Sequence, residues 1–128
     1  MKTMTVAEYK PLFIEALRSA LEERWIPRTL NPDADVPDCP FCRLATVFDF
    51  DFDNPHLPCF INTHDKVCPL YYKRSEEVDD CSDGWVAWYN AYTPKKEIAA
   101  AKLVVAELEA IDVDAWIEVL VERGVLVR

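Results

Sequence analysis

Cys39-Pro40-Phe41-Cys42 is the stretch that most limits how this chain can fold. Two thiols separated by two residues on a tight turn are the usual half of a tetrahedral metal site, with each sulfur about 2.3 Å from a zinc ion. The chain has five cysteines, and the other three, Cys59, Cys68 and Cys81, follow in the next stretch. An odd number does not fit a fully paired secreted disulfide scaffold. It points to a reducing compartment and to metal ligation. Two more ligands must come from elsewhere, and Cys68 and Cys81 are the expected pair. Cys68 is followed by Pro69 as Cys39 is followed by Pro40. Cys81 stands just ahead of an aromatic helix whose first N–H groups would favour a thiolate. Cys59, His64 and Asp65 stay open as alternates; His64 lies four residues before Cys68, a workable ligand spacing. Against all this stands the simpler use of cysteine as a small buried apolar residue.

The ends of the chain read as helical. Thr5 and Glu8 have capping-box spacing, and Phe13, Ala16, Leu17, Ala20, Leu21 and Trp25 recur at helical intervals. Pro11 should not sit deep in a regular helix, so the main helix is expected to start near Lys10, with residues 5–9 as a separate turn. Pro27 should end it. Residues 27–40 hold Pro27, Pro32, Pro37 and Pro40 and read as an extended, acidic linker. Beyond the cysteines, Trp85, Trp88, Tyr89 and Tyr92 predict a helix over 82–92, most simply with its aromatic residues in the core. Thr93-Pro94 predicts a capped start for a helix with Ile98, Ala101, Val105 and Leu108 inward. Asp112 caps a last helix holding Val113, Trp116, Ile117, Leu120 and Val121. Gly124 stops it, and residues 125–127 predict a short closing strand.

Between the ends, Phe48, Phe50 and Phe52 alternate with Asp49, Asp51 and Asp53. Period two predicts a half-buried strand over 44–53, with a return strand over 58–62 and a third near Tyr71 and Tyr72. Residues 75–80 read as a short capped turn. The Asp spacing also resembles the start of a calcium loop, but Phe60 stands where a bidentate Glu is required and Asn54 where the turn needs Gly. These readings give one small α+β domain, mostly helical, with a zinc-stapled loop and β-hairpin middle. Its N-terminal helix covers 1–26, its zinc and β region 27–81, and its C-terminal helices 82–128.

Charge and motif content exclude more than they select. The net charge is −9 and the pI about 4.6. Nucleic-acid binding needs a surplus of Lys and Arg, and the closing helix carries Asp114, Glu118 and Glu122, so a nucleic-acid-binding zinc protein is disfavoured. Anionic membrane surfaces are disfavoured for the same reason. Lys2, Glu8, Lys10 and Pro11 break any apolar run near Met1, so no secretory leader is expected. There is no Ser/His/Asp set, P-loop or His-Glu-x-x-His, and two glycines cannot build a glycine-rich phosphate cradle. The six Asp residues between 31 and 54 face one Arg, Arg43. They read either as a solvated face or as an acidic surface aimed at a basic groove on a partner.

Cys39-x-x-Cys42, then Cys68-Pro69-Leu70, Cys81, an aromatic pair and an Ala/Leu-rich helix resemble a group of small cysteine-rich proteins of tailed phages. The likeness runs over about residues 39–108. In that group a second Cys-x-x-Cys-Pro is usual, and here its first position is Asp65. The resemblance implies a phage or prophage origin and a zinc site. With the charge, it leads to the expectation of a non-enzymatic accessory protein, acting in the host cytoplasm, that binds a host protein through Asp49, Asp51 and Asp53. That host protein would be of the defence or nucleic-acid enzyme kind. The Cys39–Cys42 tetrapeptide also resembles the active site of glutaredoxins and thioredoxins, so a small thiol-disulfide oxidoreductase is the alternative. Such a site follows a buried strand and opens a helix.

Overall fold

The computed structural model describes residues 4–45, 68–70, 72–73, 79–80 and 82–128, with backbone alone for residues 42, 45, 72–73 and 79–80. The protein is mostly helical, as expected. In order, β1 (Met4–Thr5) leads into α1 (Val6–Ser19), a π turn (Ala20–Trp25) and α2 (Ile26–Leu30). Next come α3 (Pro40–Ala45), β2 (Tyr72–Lys73) and β3 (Asp79–Asp80). Then follow α4 (Asp83–Tyr89), α5 (Pro94–Glu109), α6 (Val113–Glu122) and β4 (Leu126–Val127).

The helix α1 begins where its capping box places it. Thr5 Oγ1 accepts from the Glu8 N–H at 3.2 Å, and the Glu8 carboxylate accepts from the Thr5 N–H at 3.2 Å. Pro11 lies inside α1, which corrects the separate turn expected over residues 5–9. The carbonyl that Pro11 leaves without a helical donor is that of Ala7. Both residues are exposed, so water can satisfy it. Tyr9, Phe13, Ala16 and Ala20 form the buried stripe on the other side.

The helical path also outlasts Pro27, against expectation. After Ser19 the backbone widens into the π turn, and the Ile26 N–H reaches back five residues to the Leu21 carbonyl. Pro27 then falls in the first two positions of α2, where no N–H is required. The linker therefore starts at Asn31, and Arg28 becomes a helical residue facing the interior.

Leu44 and Ala45, expected to open a strand, are the end of α3. Phe41 and Leu44 are both buried, and a spacing of three puts them on one helical face but on opposite faces of a strand. Phe41 packs against Phe13 with ring centroids 5.6 Å apart, which docks α3 on α1. The rest of the expected strand, residues 46–53, and the return strand over 58–62 lie outside the described residues. Tyr72 is in a strand, as expected, but it pairs antiparallel with Asp80, while Lys73 pairs with Asp79, in place of the expected turn end.

The C-terminal half follows its caps. Ser82, Thr93 and Asp112 each accept from a first-turn N–H of α4, α5 and α6. The helix α4 stops at Tyr89, shorter than expected. The buried face of α5 is Ala100, Ala101, Val104 and Leu108, so Ile98 and Val105 are only partly buried. The cause is a close crossing of α4 over α5. Gly84 lies against Val104, and its N–H donates to Glu107 Oε1 at 3.0 Å. A Cβ on Gly84 would stand 2.8 Å from Val104 Cγ2 and 2.9 Å from the Val104 backbone nitrogen. On an exposed helix Gly→Ala should stabilise by about 1 kcal/mol. Here Gly84→Ala should instead cost about 1–3 kcal/mol by overpacking, read as a lower urea midpoint at unchanged slope.

Gly124, at φ +76°, terminates α6 in the left-handed region and turns the chain into β4. There Met4 pairs with Leu126 and Thr5 with Val127 in parallel register, so the first and last elements lie side by side. One apolar cluster runs through Phe13, Trp25, Phe41, Cys68, Leu108, Leu120 and Leu126, and draws on both halves of the chain. Among the described residues, no helix is long and apolar enough to cross a membrane.

Candidate metal centre

Cys39 stands at the mouth of α3. Its carbonyl accepts the first helical hydrogen bond, from the Arg43 N–H at 3.3 Å, and the backbone of Cys42 lies within the first turn that follows. The Cys-x-x-Cys unit therefore opens a helix. An extended acidic loop precedes it, not a strand. Cys39 is partly buried against the apolar cluster. Cys68 is 5% exposed and starts the Cys68-Pro69-Leu70 turn, with Leu70 in the same cluster. No disulfide joins Cys39 to Cys68. Among the described residues there is no group of three or more His, Cys, Asp or Glu side chains that could hold a metal. Cys59, His64, Asp65 and Cys81, the side chain of Cys42, and Asp49, Asp51 and Asp53 lie outside the described residues.

Cys68 borders α1 at Tyr9. Burial pushes the Tyr9 phenol well above its ordinary pKa, and Cys68 adds to the rise. The Trp116 indole opposes it, although no hydrogen bond of ordinary geometry ends at Trp116 Nε1 among the described residues. Tyr9 thus stays a neutral phenol throughout the working pH range.

Cys39 borders a different environment, one that sequence reasoning passed over. Arg24 and Arg28 are one turn apart at the junction of the π turn and α2. The Arg24 Nη1 donates to the Pro37 carbonyl at 2.5 Å and so ties the loop that leads to Cys39 against the helix. Arg28 is 9% exposed. Its guanidinium carbon lies 4.6 Å from the Trp25 ring centroid and 4.2 Å from that of Trp88, and these two rings cross at 89°. Burial, with Arg24 beside it, pulls the Arg28 pKa down to about 10, and charge at Cys39 works against that fall. Arg28 therefore remains a cation at neutral pH.

Aromatic faces compensate only part of that burial. A desolvated cation–π contact contributes about 2 kcal/mol, whereas an unpaired buried ion costs several. The rings meet the cation through its π contacts and leave its in-plane N–H groups to find acceptors. Arg28 Nη1 and Arg24 Nε are both buried with no hydrogen-bond partner among the described residues, as is Trp88 Nε1. The sequence signal for this cluster was Arg24-Trp25-x-x-Arg28, two cations flanking a Trp at helical spacing. Placing Pro27 at a helix end hid it.

The acidic side of the chain is partly visible. Asp33, Asp35 and Asp38 are all exposed on the loop between α2 and α3, and Arg43 pairs with Asp38 at 3.9 Å. The expectation that the aromatic helix packs inward holds for half of it. Trp85 and Trp88 pack on the core, but Tyr89 is 69% and Tyr92 90% exposed.

No family model, curated protein or solved structure gives a significant match to the chain.

Proposed function

We propose that the protein is a non-enzymatic accessory protein of phage or prophage origin that binds a host protein through an acidic surface. A zinc ion held by thiolates at Cys39, Cys42, Cys68 and Cys81, with Cys59 and His64 as alternates, fixes the middle of the chain. The observation that carries the reading is the loop over 31–39, where Asp33, Asp35 and Asp38 all face solvent immediately before the Cys-x-x-Cys helix. Carboxylates crowded on one loop repel each other, and a basic partner relieves that repulsion. Asp49, Asp51 and Asp53 extend the acidic run. The exposed Tyr89 and Tyr92 supply the kind of aromatic anchor that binding surfaces use. The partner is a host protein with a basic groove, such as a defence or nucleic-acid enzyme, met in the host cytoplasm.

The test is partner capture from host extract at low and at moderate salt. Asp33, Asp35 and Asp38, or Asp49, Asp51 and Asp53, changed to Asn should slow association about tenfold or more and remove its salt dependence. Capture unaltered in both triple variants removes the acidic face from the proposal.

One observation favours the second reading, a thiol-disulfide oxidoreductase: the Cys39–Cys42 unit opens a helix, which that chemistry uses. Turnover of a model disulfide that disappears in Cys39→Ser would establish it.

A further inference from the structure

We infer that Arg24, Arg28 and Trp88 form a binding site for one small inorganic anion of the halide class, chloride being the common case. The inference is independent of the zinc and partner readings above and needs neither.

Three observations lead there. The first is a set of donors. Arg28 Nη1, Arg24 Nε and Trp88 Nε1 are each out of solvent and without a hydrogen-bond partner among the described residues. Buried N–H groups are nearly always paired, so these three need an acceptor. The second is that their side chains stand together. The Arg28 guanidinium carbon is 4.6 Å from the Trp25 ring centroid and 4.2 Å from that of Trp88. The two ring centroids are 5.6 Å apart, and the Arg24 guanidinium carbon lies over the same Trp25 ring at 5.5 Å. The third is charge. Arg28 is nine-tenths buried, and neither arginine has a carboxylate partner among the described residues. Two neighbouring cations repel, and burial withdraws the water that would screen them. An anion held by both relieves the repulsion and satisfies the donors.

The kind and number of donors select the ion. Phosphate or sulfate brings four oxygens and a second charge, and three N–H groups cannot replace the water that such an ion gives up. A carboxylate is gripped by two parallel N–H groups of one guanidinium, whereas the buried donors here are one nitrogen from each arginine. A monovalent, spherical ion accepts from any direction and loses less on leaving water. Arg24 also donates from Nη1 to the Pro37 carbonyl at 2.5 Å, so an ion on its Nε fastens the loop over 31–39 to the helix that carries both arginines. That loop contains little regular structure, and its local opening gives the ion its way in.

The experiment is chloride-35 NMR on the full chain at constant sodium concentration, with gluconate as the replacing anion and bromide as the competitor. Wild-type protein should broaden the chloride line, and bromide should reverse the broadening. Trp88→Phe keeps an aromatic face over Arg28 and removes one donor, so it should weaken binding about tenfold or more. Arg28→Met should abolish binding. Arg123→Met is the control for general attraction to an exposed arginine, because Arg123 lies over the Trp116 ring at 5.4 Å; it should bind as wild type does. No reversible broadening by wild type overturns the inference, and so does equal affinity in wild type and Trp88→Phe. Sulfate or phosphate displacing chloride more tightly than bromide overturns it as well. If Arg28→Met loses its helical circular dichroism, the comparison of wild type with Trp88→Phe decides.

Discussion

Protein purified without chelator should carry one zinc per chain, and a strong chelator should release it together with four titratable thiols. The expected effect is the largest in the molecule, because structural zinc in small domains contributes about 10–16 kcal/mol of apparent binding free energy that is also folding free energy. Residues 31–39 and 68–70 contain little regular structure, so a staple is what this region would need. Elemental mass spectrometry gives the metal content, and thiol titration before and after chelation gives the ligand number. The helices should respond unequally. The packing of α4 on α5 does not run through a cysteine, so part of the helical signal should survive chelation. A metal-free protein with a reactive, low-pKa Cys39 or Cys42 would move the oxidoreductase reading to the front.

Phe13→Ala should be the most damaging single apolar substitution on α1. Phe13 is fully buried, with the Tyr9 ring at 5.9 Å and the Phe41 ring at 5.6 Å. Truncating a buried Phe typically costs about 3–5 kcal/mol in lost transfer energy and cavity. Against a total stability of about 5–15 kcal/mol, that leaves the protein marginal. The site adds a second consequence. Phe41 sits inside the Cys-x-x-Cys unit, so a cavity at Phe13 loosens the seat of α3. Urea denaturation should show the midpoint fall. Zinc affinity measured below the transition should weaken as well, whereas Leu120→Ala, of similar burial on α6, should lower the midpoint with less effect on zinc. Equal zinc affinity in the two variants would show that α3 does not depend on Phe13 for its position.

Local chemistry was readable wherever a side chain bonds to its own backbone. The Thr5–Glu8 box, the caps at Thr93 and Asp112, and the Gly124 stop all fall at the expected positions. Each is decided within about four residues, so no distant contact is needed to place it. Proline was misread for the complementary reason. Its cost in a helix depends on whether the abandoned carbonyl finds water, as at Ala7, or on whether a widened turn precedes it, as before Pro27. Neither is visible in the identity of the proline.

Composition and local capping suffice for a short, acidic, mostly helical chain with several caps in place and a Cys-x-x-Cys unit in its middle. Which faces turn inward depends on packing between distant elements. Gly84 lies close against the Val104 backbone, and the buried face of α5 runs through Ala100 and Val104. Phe41 packs on Phe13 from a helix over 40–45 where a strand was expected to begin at 44. The crossing of Trp25 and Trp88 buried Arg28 beside the loop to Cys39. All three are contacts between residues far apart in the chain. Periodicity records that a residue is apolar or charged, but burial and charge pairing are properties of the neighbours that packing supplies.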